Sequence, residues 1–154
     1  MSNTSSVESE SEMWVRLWTT NHFAKEGENC MPRETPEAVL KSIVDGINTG
    51  DLDSLMTLYE PDAVFATQPG KLTDDLPGIR EALSNFVAAK GRLELNVTRV
   101  LQGGDLALVT GVWSFVGTAP DGQPLELAAK SADVLRRQKD GTWRFVIDNP
   151  WGTD

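Results

Sequence analysis

The fold of this chain is decided by residues 106–116, LALVTGVWSFV, which are apolar on both faces of a predicted strand. One face carries Leu106, Leu108 and Val112, and the other carries Val109, Trp113 and Phe115. A sheet with one face in water alternates apolar and polar residues along its strands. This sheet therefore needs two covers: helices on one face and, on the other, a second subunit or a docked N-terminal segment.

The sequence on either side of this strand has the period of 2 that is typical of strands. One strand begins at Leu93, and two more are predicted over residues 125–137 and 143–148. The turn sequences between these strands are Gly103-Gly104-Asp105, Asp121-Gly122 and Asp140-Gly141. We therefore expect a meander of long antiparallel strands.

Helical periodicity precedes the strands. Thr35-Pro36-Glu37 is a helix start, with a capping side chain, a proline and an acid, and Gly50 is a helix end. Asp51 is expected to cap a second short helix, which includes Tyr59 and ends at Pro61. The other predicted elements are a strand over residues 63–68 and a third helix over residues 79–87. Three N-terminal helices packed on a strongly curved antiparallel sheet make an α+β fold.

Composition excludes several classes of function. The chain has 154 residues, enough for one domain, and a net charge of −9 without a large cluster of basic residues. Nucleic acid and anionic membranes are therefore not expected as partners. The single cysteine, Cys30, excludes an internal disulfide and a thiolate metal cluster, and a catalytic triad would have to use the single histidine, His22. We expect no metal and no organic cofactor.

Residues 1–34 differ in composition from the rest and are interpreted as a flexible leader. They contain Trp14, Leu17 and Trp18 at helical spacing, so the alternative is a short docking helix. The leader lacks the basic and apolar regions of a secretory signal, and no apolar run approaches 18 residues. We expect a cytoplasmic protein whose single folded domain spans residues 35–154.

In this order of elements the chain resembles the nuclear-transport-factor-2-like (NTF2-like) superfamily, and most of all its SnoaL-like and DUF4440 members. The segments that carry the resemblance are GDLDSL (50–55), LYEPDAVF (58–65), GIREA (78–82), DVLRRQ (133–138) and DGTWR (140–144). The resemblance covers about residues 36–152. It implies a cone-shaped fold in which a curved sheet wraps around helices, a pocket at the open end, and a dimer formed through the sheet.

The superfamily includes ketosteroid isomerases, polyketide cyclases, dehydratases and members that only bind or scaffold, so the fold does not determine the function. Alignment with the isomerases places Ile43 at their catalytic tyrosine and Thr67 at their general base. Asp133 falls on their oxyanion aspartate, and Trp151 on a pocket tryptophan. Since Ile43 cannot donate a hydrogen bond and Thr67 is a weak base, steroid isomerisation by that mechanism is disfavoured.

Asp133 is the candidate catalytic residue, as an acid or a hydrogen-bond donor. It lies in a strand that is otherwise mostly apolar or small, on the same side as Leu127, Ala129, Ser131 and Leu135. A carboxyl group in such a strand is exposed, paired or functionally perturbed. The alternative to a functional role is an ion pair, for which the candidate partners are Lys130, Arg99 and Arg144.

The candidate ligand-binding residues are Tyr59, Thr67, Gln68, Asp148, Asn149 and Trp151. Strand alternation places Asp148 on the same face as Arg144, and Asn149 on the same face as Phe145. An ion pair between Asp148 and an arginine is therefore the alternative to a role in the pocket. Tyr59, with helical spacing from Leu55, has a core position as its alternative.

Two functions are compatible with these features. The first is a pocket that binds a small apolar molecule with a carbonyl or hydroxyl group, and that could catalyse isomerisation, cyclisation or dehydration without a cofactor. The second is a non-catalytic association module that binds a protein partner through its sheet or its N-terminal segment. In both cases we expect a homodimer formed through the sheet.

Overall fold

The computed structural model describes residues 33–152. Their elements are α1 (Pro36–Thr49), α2 (Leu52–Met56), β1 (Tyr59–Gln68), β2 (Lys71–Thr73), α3 (Leu76–Ala88), β3 (Arg92–Gly103), β4 (Leu106–Thr118), β5 (Pro124–Arg137) and β6 (Trp143–Asp148). Trp14, Leu17 and Trp18, the docking-helix candidates in the predicted leader, lie outside the described residues. None of the helices that the structure describes is long and apolar enough to cross a membrane.

The helix boundaries follow the predicted capping signals. The Thr35 side chain accepts a hydrogen bond from the Ala38 N–H at 3.1 Å, Pro36 opens α1, and Gly50 ends it with a φ of 75°. Asp51 caps α2 in the same way by accepting from the Ser54 N–H at 3.1 Å. These local interactions satisfy backbone groups that a helix end leaves unpaired.

The second helix is shorter than its sequence pattern predicts. It ends at Met56, and Tyr59, which was expected to be helical, begins β1 and pairs with Phe145 of β6. Pro61 lies inside β1, where the register with β6 shifts between Tyr59 and Val64. Because no residue pairs with β6 in that interval, the missing N–H of the proline is tolerated.

The six strands form one curved, open sheet in the order β2-β1-β6-β5-β4-β3. Neighbouring strands are antiparallel, as expected, except for β1 and β6, which are parallel. The prediction of a wholly antiparallel sheet is therefore wrong at this pair. Since the whole meander lies between β1 and β6 in the chain, no hairpin constrains their relative direction.

The helices cover one face of the sheet, which we call the inner face. Val109 and Phe115 of β4 are buried there against Ile43 of α1 and Leu83 of α3. Asn48 joins α1 to β3, because its side chain accepts from the Leu93 N–H at 2.7 Å and donates to the Leu93 carbonyl at 3.0 Å. The core and this pair of hydrogen bonds thus hold the helices on the inner face of the sheet.

The opposite face, the outer sheet face, keeps its apolar side chains exposed in the single chain. Its exposed members are Leu101, Leu106, Leu108, Val112, Val116 and Ile147. Leu108 is 39% exposed and Val116 is 56% exposed, although both lie on a strand whose inner residues are buried. The two-sided apolar pattern of β4 thus corresponds to one covered face and one face that the described residues leave open.

Candidate functional site

A cavity of about 50 Å³ lies between the helices and the inner face of the sheet. Most of its lining is apolar and comes from α1, α3 and β3, with Ile43 and Phe86 among its members. Its polar residues are Ser131 and Asp133 of β5 and Asp148 of β6. Two carboxyl groups in an otherwise apolar enclosure make this cavity, here called the inner cavity, the candidate site.

Asp133 faces the inner cavity, as the alternation of β5 predicts. Its side chain is 2% exposed, and its Oδ1 accepts a hydrogen bond from the Asn149 N–H at 2.9 Å. Within residues 33–152 it forms no ion pair with Lys130 or with any arginine, so the ion-pair alternative is wrong for this part of the chain.

Asp148 also faces inward, in contrast to the face that alternation predicts. Leu135 of β5 pairs with Phe145, but the next residue, Val134, pairs with Ile147, so β6 carries one extra residue, Val146. This bulge reverses the alternation after Phe145. Asp148 is therefore 8% exposed on the inner face, while Ile147 is 41% exposed on the outer sheet face.

The bulge brings the two carboxyl groups together. Val134 pairs with Ile147, and the Ala132 N–H donates to the Asn149 carbonyl at 3.0 Å, so Asp133 and Asp148 lie opposite each other between these pairs. Opposed residues of neighbouring antiparallel strands have their Cβ atoms about 4.5–5.5 Å apart. The site is thus a pair of buried acids on adjacent strands.

Tyr59 lies behind this pair rather than in the cavity wall. Its hydroxyl donates to Oδ2 of Asp148 at 2.5 Å, and its ring stacks on Phe145 with centroids 5.1 Å apart. Tyr59 is 2% exposed and lines no part of the inner cavity. Its hydroxyl thus supports the Asp148 carboxyl group from the side away from the cavity.

Burial raises the pKa of both acids, and the charge of Asp148 adds to the rise at Asp133. Burial raises the pKa of Asp133 well above its ordinary value, and the negative charge of Asp148 raises it further. Burial also raises the pKa of Asp148, to about 6, and hydrogen bonds from Tyr59 and Asp133 limit that rise. Both causes therefore favour a proton retained on the pair, and they act more strongly on Asp133 than on Asp148.

Ser131 is a site residue that the sequence analysis did not select. It lies two residues before Asp133 on the same face of β5 and is 4% exposed. Its hydroxyl is close enough to lower the pKa of Asp133, but its oxygen reaches hydrogen-bond geometry with none of the described residues. Buried polar atoms without a partner are rare in folded proteins. The period of 2 through Asp133 was the signal that could have identified Ser131.

A larger groove of about 840 Å³ lies outside the inner cavity, at the end formed by β1, β2 and α3. Three predicted ligand-binding residues line it: Thr67, Gln68 and Trp151. Trp151 packs edge-on against Trp113, with ring centroids 5.5 Å apart, and its buried Nε1 has no hydrogen-bond partner among the described residues. Phe65 and Phe86 line both this outer groove and the inner cavity.

Asn149 holds the end of the described chain in place. Besides its backbone bond to Asp133, its Nδ2 donates to the Gly152 carbonyl at 2.7 Å. Next to it, the Pro150 carbonyl accepts from Trp113 Nε1 at 2.6 Å. Asn149 lines neither the inner cavity nor the outer groove. The structure thus places it as a support of Asp133, and its role as a ligand contact stays a prediction.

The residues that align with isomerase site positions do not all line the same space: some line the inner cavity and others the outer groove. Ile43 and Asp133 line the inner cavity, whereas Thr67 lines the outer groove. Within residues 33–152 the side chains of His, Cys, Asp and Glu form no group of three that could hold a metal ion. The acid/base groups of the inner cavity are therefore Asp133 and Asp148, which lie on different strands from Thr67.

Solved structures share this fold at low sequence identity. A ketosteroid isomerase-like protein from Erwinia carotovora atroseptica is 19% identical, with a TM-score of 0.63 covering 73% of this chain and 88% of its own. A protein from Xanthomonas campestris described as a calcium/calmodulin dependent protein kinase II association domain is 21% identical, with a TM-score of 0.62 and coverages of 76% and 84%. These likenesses concern the fold alone.

An NTF2-like superfamily protein from Salmonella enterica serovar Typhimurium is 19% identical, with a TM-score of 0.63 covering 75% of this chain and 89% of its own. No curated protein matches the sequence significantly. The SnoaL-like domain family, however, matches residues 40–146, which is more than half of the chain. The protein therefore belongs to the SnoaL-like domain family.

Proposed function

We propose that this protein binds a small, mostly apolar molecule through a carbonyl or hydroxyl oxygen, which accepts a hydrogen bond from protonated Asp133. The observation that carries the proposal is the pair of buried acids at the polar end of an apolar cavity. A neutral carboxyl group is a strong donor to a ligand oxygen in a site from which water is excluded. Ser131 offers a second hydroxyl to the same oxygen.

The pair also has the composition of an acid/base catalyst. Burial favours the protonated form of Asp133, which can donate to a substrate oxygen, and the pKa of Asp148, at about 6, lies closer to neutrality than that of an ordinary aspartate. A base is most effective when its pKa lies near the working pH. We therefore propose a cofactor-free isomerisation, cyclisation or dehydration, in which Asp148 removes a proton from carbon while Asp133 stabilises the developing charge on oxygen.

The second candidate function is a dimeric association module, and the exposed outer sheet face favours it. Six large apolar side chains of β3, β4 and β6 are exposed there, and Leu101, Leu108 and Ile147 lie in one row across the sheet, with Val134 of β5 between the last two. Exposed apolar patches mark association surfaces. We propose that a second copy of the chain covers this face. Pocket binding and dimer formation use opposite faces of the sheet, so one does not exclude the other. The cytoplasmic location stays a prediction.

The binding proposal is tested with a small ketone as the probe. We expect 2-octanone to shift the indole N–H resonances of tryptophans beside the cavity in an NMR titration. Asp133→Leu, which leaves no donor at this position, should weaken this binding about fivefold, since one hydrogen bond from a neutral donor contributes about 1 kcal/mol. Asp62→Leu, which removes a carboxylate from an exposed position of β1, is the control and should bind like the wild type. Equal affinity for wild type and Asp133→Leu would contradict the proposal.

A further inference from the structure

The inner cavity and the outer groove share a wall made of two aromatic rings. Phe65 and Phe86 are the two residues that line both spaces. The groove, at about 840 Å³, is far larger than the inner cavity, at about 50 Å³. At about 10–15 Å³ for each water-sized atom, the inner cavity admits only a few atoms. A ligand that reaches Asp133 therefore leaves most of its body outside.

The two rings of this wall differ in how firmly they are held. Phe65 is 3% exposed on β1, and its backbone pairs with that of Asp148 in the sheet. Phe86 is only half-buried on α3, with its ring edge-on to Phe115 at 5.3 Å and to Trp113 at 6.4 Å. A side chain on a helix surface can change rotamer without moving the backbone. Phe86 is thus the less buried of the two rings of this wall.

The outer groove also contains a group that lacks a partner. The Nε1 atom of Trp151 is buried and makes no hydrogen bond within the described residues, although Trp indole N–H groups usually find one when buried. Thr67 and Gln68 add polar atoms to the same lining. With these polar atoms beside its aromatic lining, the groove suits the larger part of an amphipathic molecule.

We propose that Phe86 divides one binding site into two compartments and selects ligands by the width of their oxygen-bearing end. The ligand class is a molecule with a narrow terminal carbonyl or hydroxyl group on a larger amphipathic body. The narrow end passes Phe86 to reach Asp133 and Ser131, and the body stays in the outer groove beside Trp151. This inference rests on the proposed binding function and adds the size limit that Phe86 sets.

The test compares two ketones of similar size that differ in width at the carbonyl: linear 2-octanone and bulky 2-adamantanone. We expect the wild type to prefer 2-octanone, and Phe86→Ala to reduce this preference about tenfold, which is the scale on which pocket shape discriminates apolar groups. Lys139→Ala, at an exposed position of the β5–β6 turn that lines neither space, is the control and should leave the preference unchanged. An unchanged preference in Phe86→Ala would overturn the proposal.

Two further variants complete the test, one at Phe86 and one at Asp133. Phe86→Trp retains an aromatic ring against Phe115 and should weaken binding of 2-octanone, so it replaces the alanine variant if that variant does not fold. Asp133→Leu separates the two proposals. Weaker binding in Asp133→Leu with no change of preference in Phe86→Ala would contradict the gate alone. Absence of binding by either ketone to the wild type at millimolar concentration would contradict both.

Discussion

The two faces of β4, β5 and β6 differ in the kind of residue that is out of place: carboxyl groups are buried on one face, and apolar side chains are exposed on the other. On the inner face, Asp133 and Asp148 are buried in an apolar enclosure, where charged groups are expensive. On the outer sheet face, Leu108 and Ile147 are exposed to solvent on the same strands. Each face departs from the usual distribution of polar and apolar residues in a local, contiguous patch. Departures of this kind concentrate at functional surfaces, and here they separate the proposed ligand site from the proposed association surface.

The largest expected effect is on dimer formation through the outer sheet face. We expect the wild type to be a dimer at roughly tens of micromolar protein, as suits an interface of standard size. Leu108→Glu should make it monomeric, because Leu108 lies between Leu101 and Val134 and a charge buried there without a partner costs about 2–5 kcal/mol. Light scattering measures the change, and Gln123→Glu in the β4–β5 turn is the matched control. A monomeric wild type would remove the dimer proposal.

The next effect concerns the inner face and its dependence on pH. Because the folded-state pKa of Asp133 is raised, its ionised form is disfavoured in the native state, and the wild type loses stability as pH rises between the unfolded and folded pKa values. The loss is at most about 1.4 kcal/mol per pH unit. Asp148 contributes a loss of the same sign between its ordinary pKa and about 6.

Asp133→Asn removes the larger of these two contributions. We expect it to be neutral or stabilising at pH 7, and to gain in stability relative to the wild type between pH 5 and pH 8. Thermal melts of both proteins at the two pH values measure this difference. A clear destabilisation by asparagine at pH 8 would show that Asp133 is ionised and stabilised by a partner, which is incompatible with a protonated donor in the cavity.

A smaller effect tests the hydrogen bond that Tyr59 donates to Asp148. Tyr59→Phe removes the hydrogen bond to Asp148 and should lower the free energy of unfolding by about 1–3 kcal/mol, the range for a buried acceptor that loses its donor. It should also raise the pKa of Asp148, since that bond favours the ionised carboxylate. Carbon-13 NMR titration of the carboxyl groups measures the shift. In an Asp148→Asn background the same substitution should cost less, and an equal cost would mean that the two residues do not interact.

The smallest expected effect concerns the leader. The described domain has a complete set of helices and strands from Pro36 onward, so removal of residues 1–30 should leave the fold intact and the melting temperature nearly unchanged. About 1 kcal/mol corresponds to a few degrees in a domain of this size. A fall of several degrees would show instead that Trp14, Leu17 and Trp18 dock on the domain, and it would make the N-terminal segment a cover for an apolar face.

The sequence predicted the parts of this fold that depend on local rules. Thr35 and Gly50 mark the ends of α1 because capping involves residues only a few positions apart. The inward direction of Asp133 was also predictable, since β5 alternates without interruption over the positions that matter. The two-sided apolar pattern of β4 indicated correctly that the helices alone leave one of its faces uncovered.

The parts that were missed depend on interactions between distant strands. Alternation along β6 places Asp148 on the wrong face, because it takes no account of the bulge. The bulge depends on how β6 pairs with β5, and the six residues of β6 contain no local signal for it. Tyr59 has helical spacing from its predecessors, yet pairing with β6 makes it the start of a strand. The carboxyl pair and its supporting tyrosine therefore could not be assembled from local periodicity.

The bulge at Val146 has a consequence for how this site can arise or disappear in evolution. Substitution of either aspartate alters one group, but a shift of β6 into regular pairing after Phe145, with Val146 opposite Val134, would turn Asp148 outward and Ile147 inward in one event. The same event would remove the partner of Tyr59 and place an aliphatic side chain in the cavity. Among relatives, the pairing register of the last strand therefore separates chains with paired inner acids from chains without them, even where both keep an aspartate near the end of that strand.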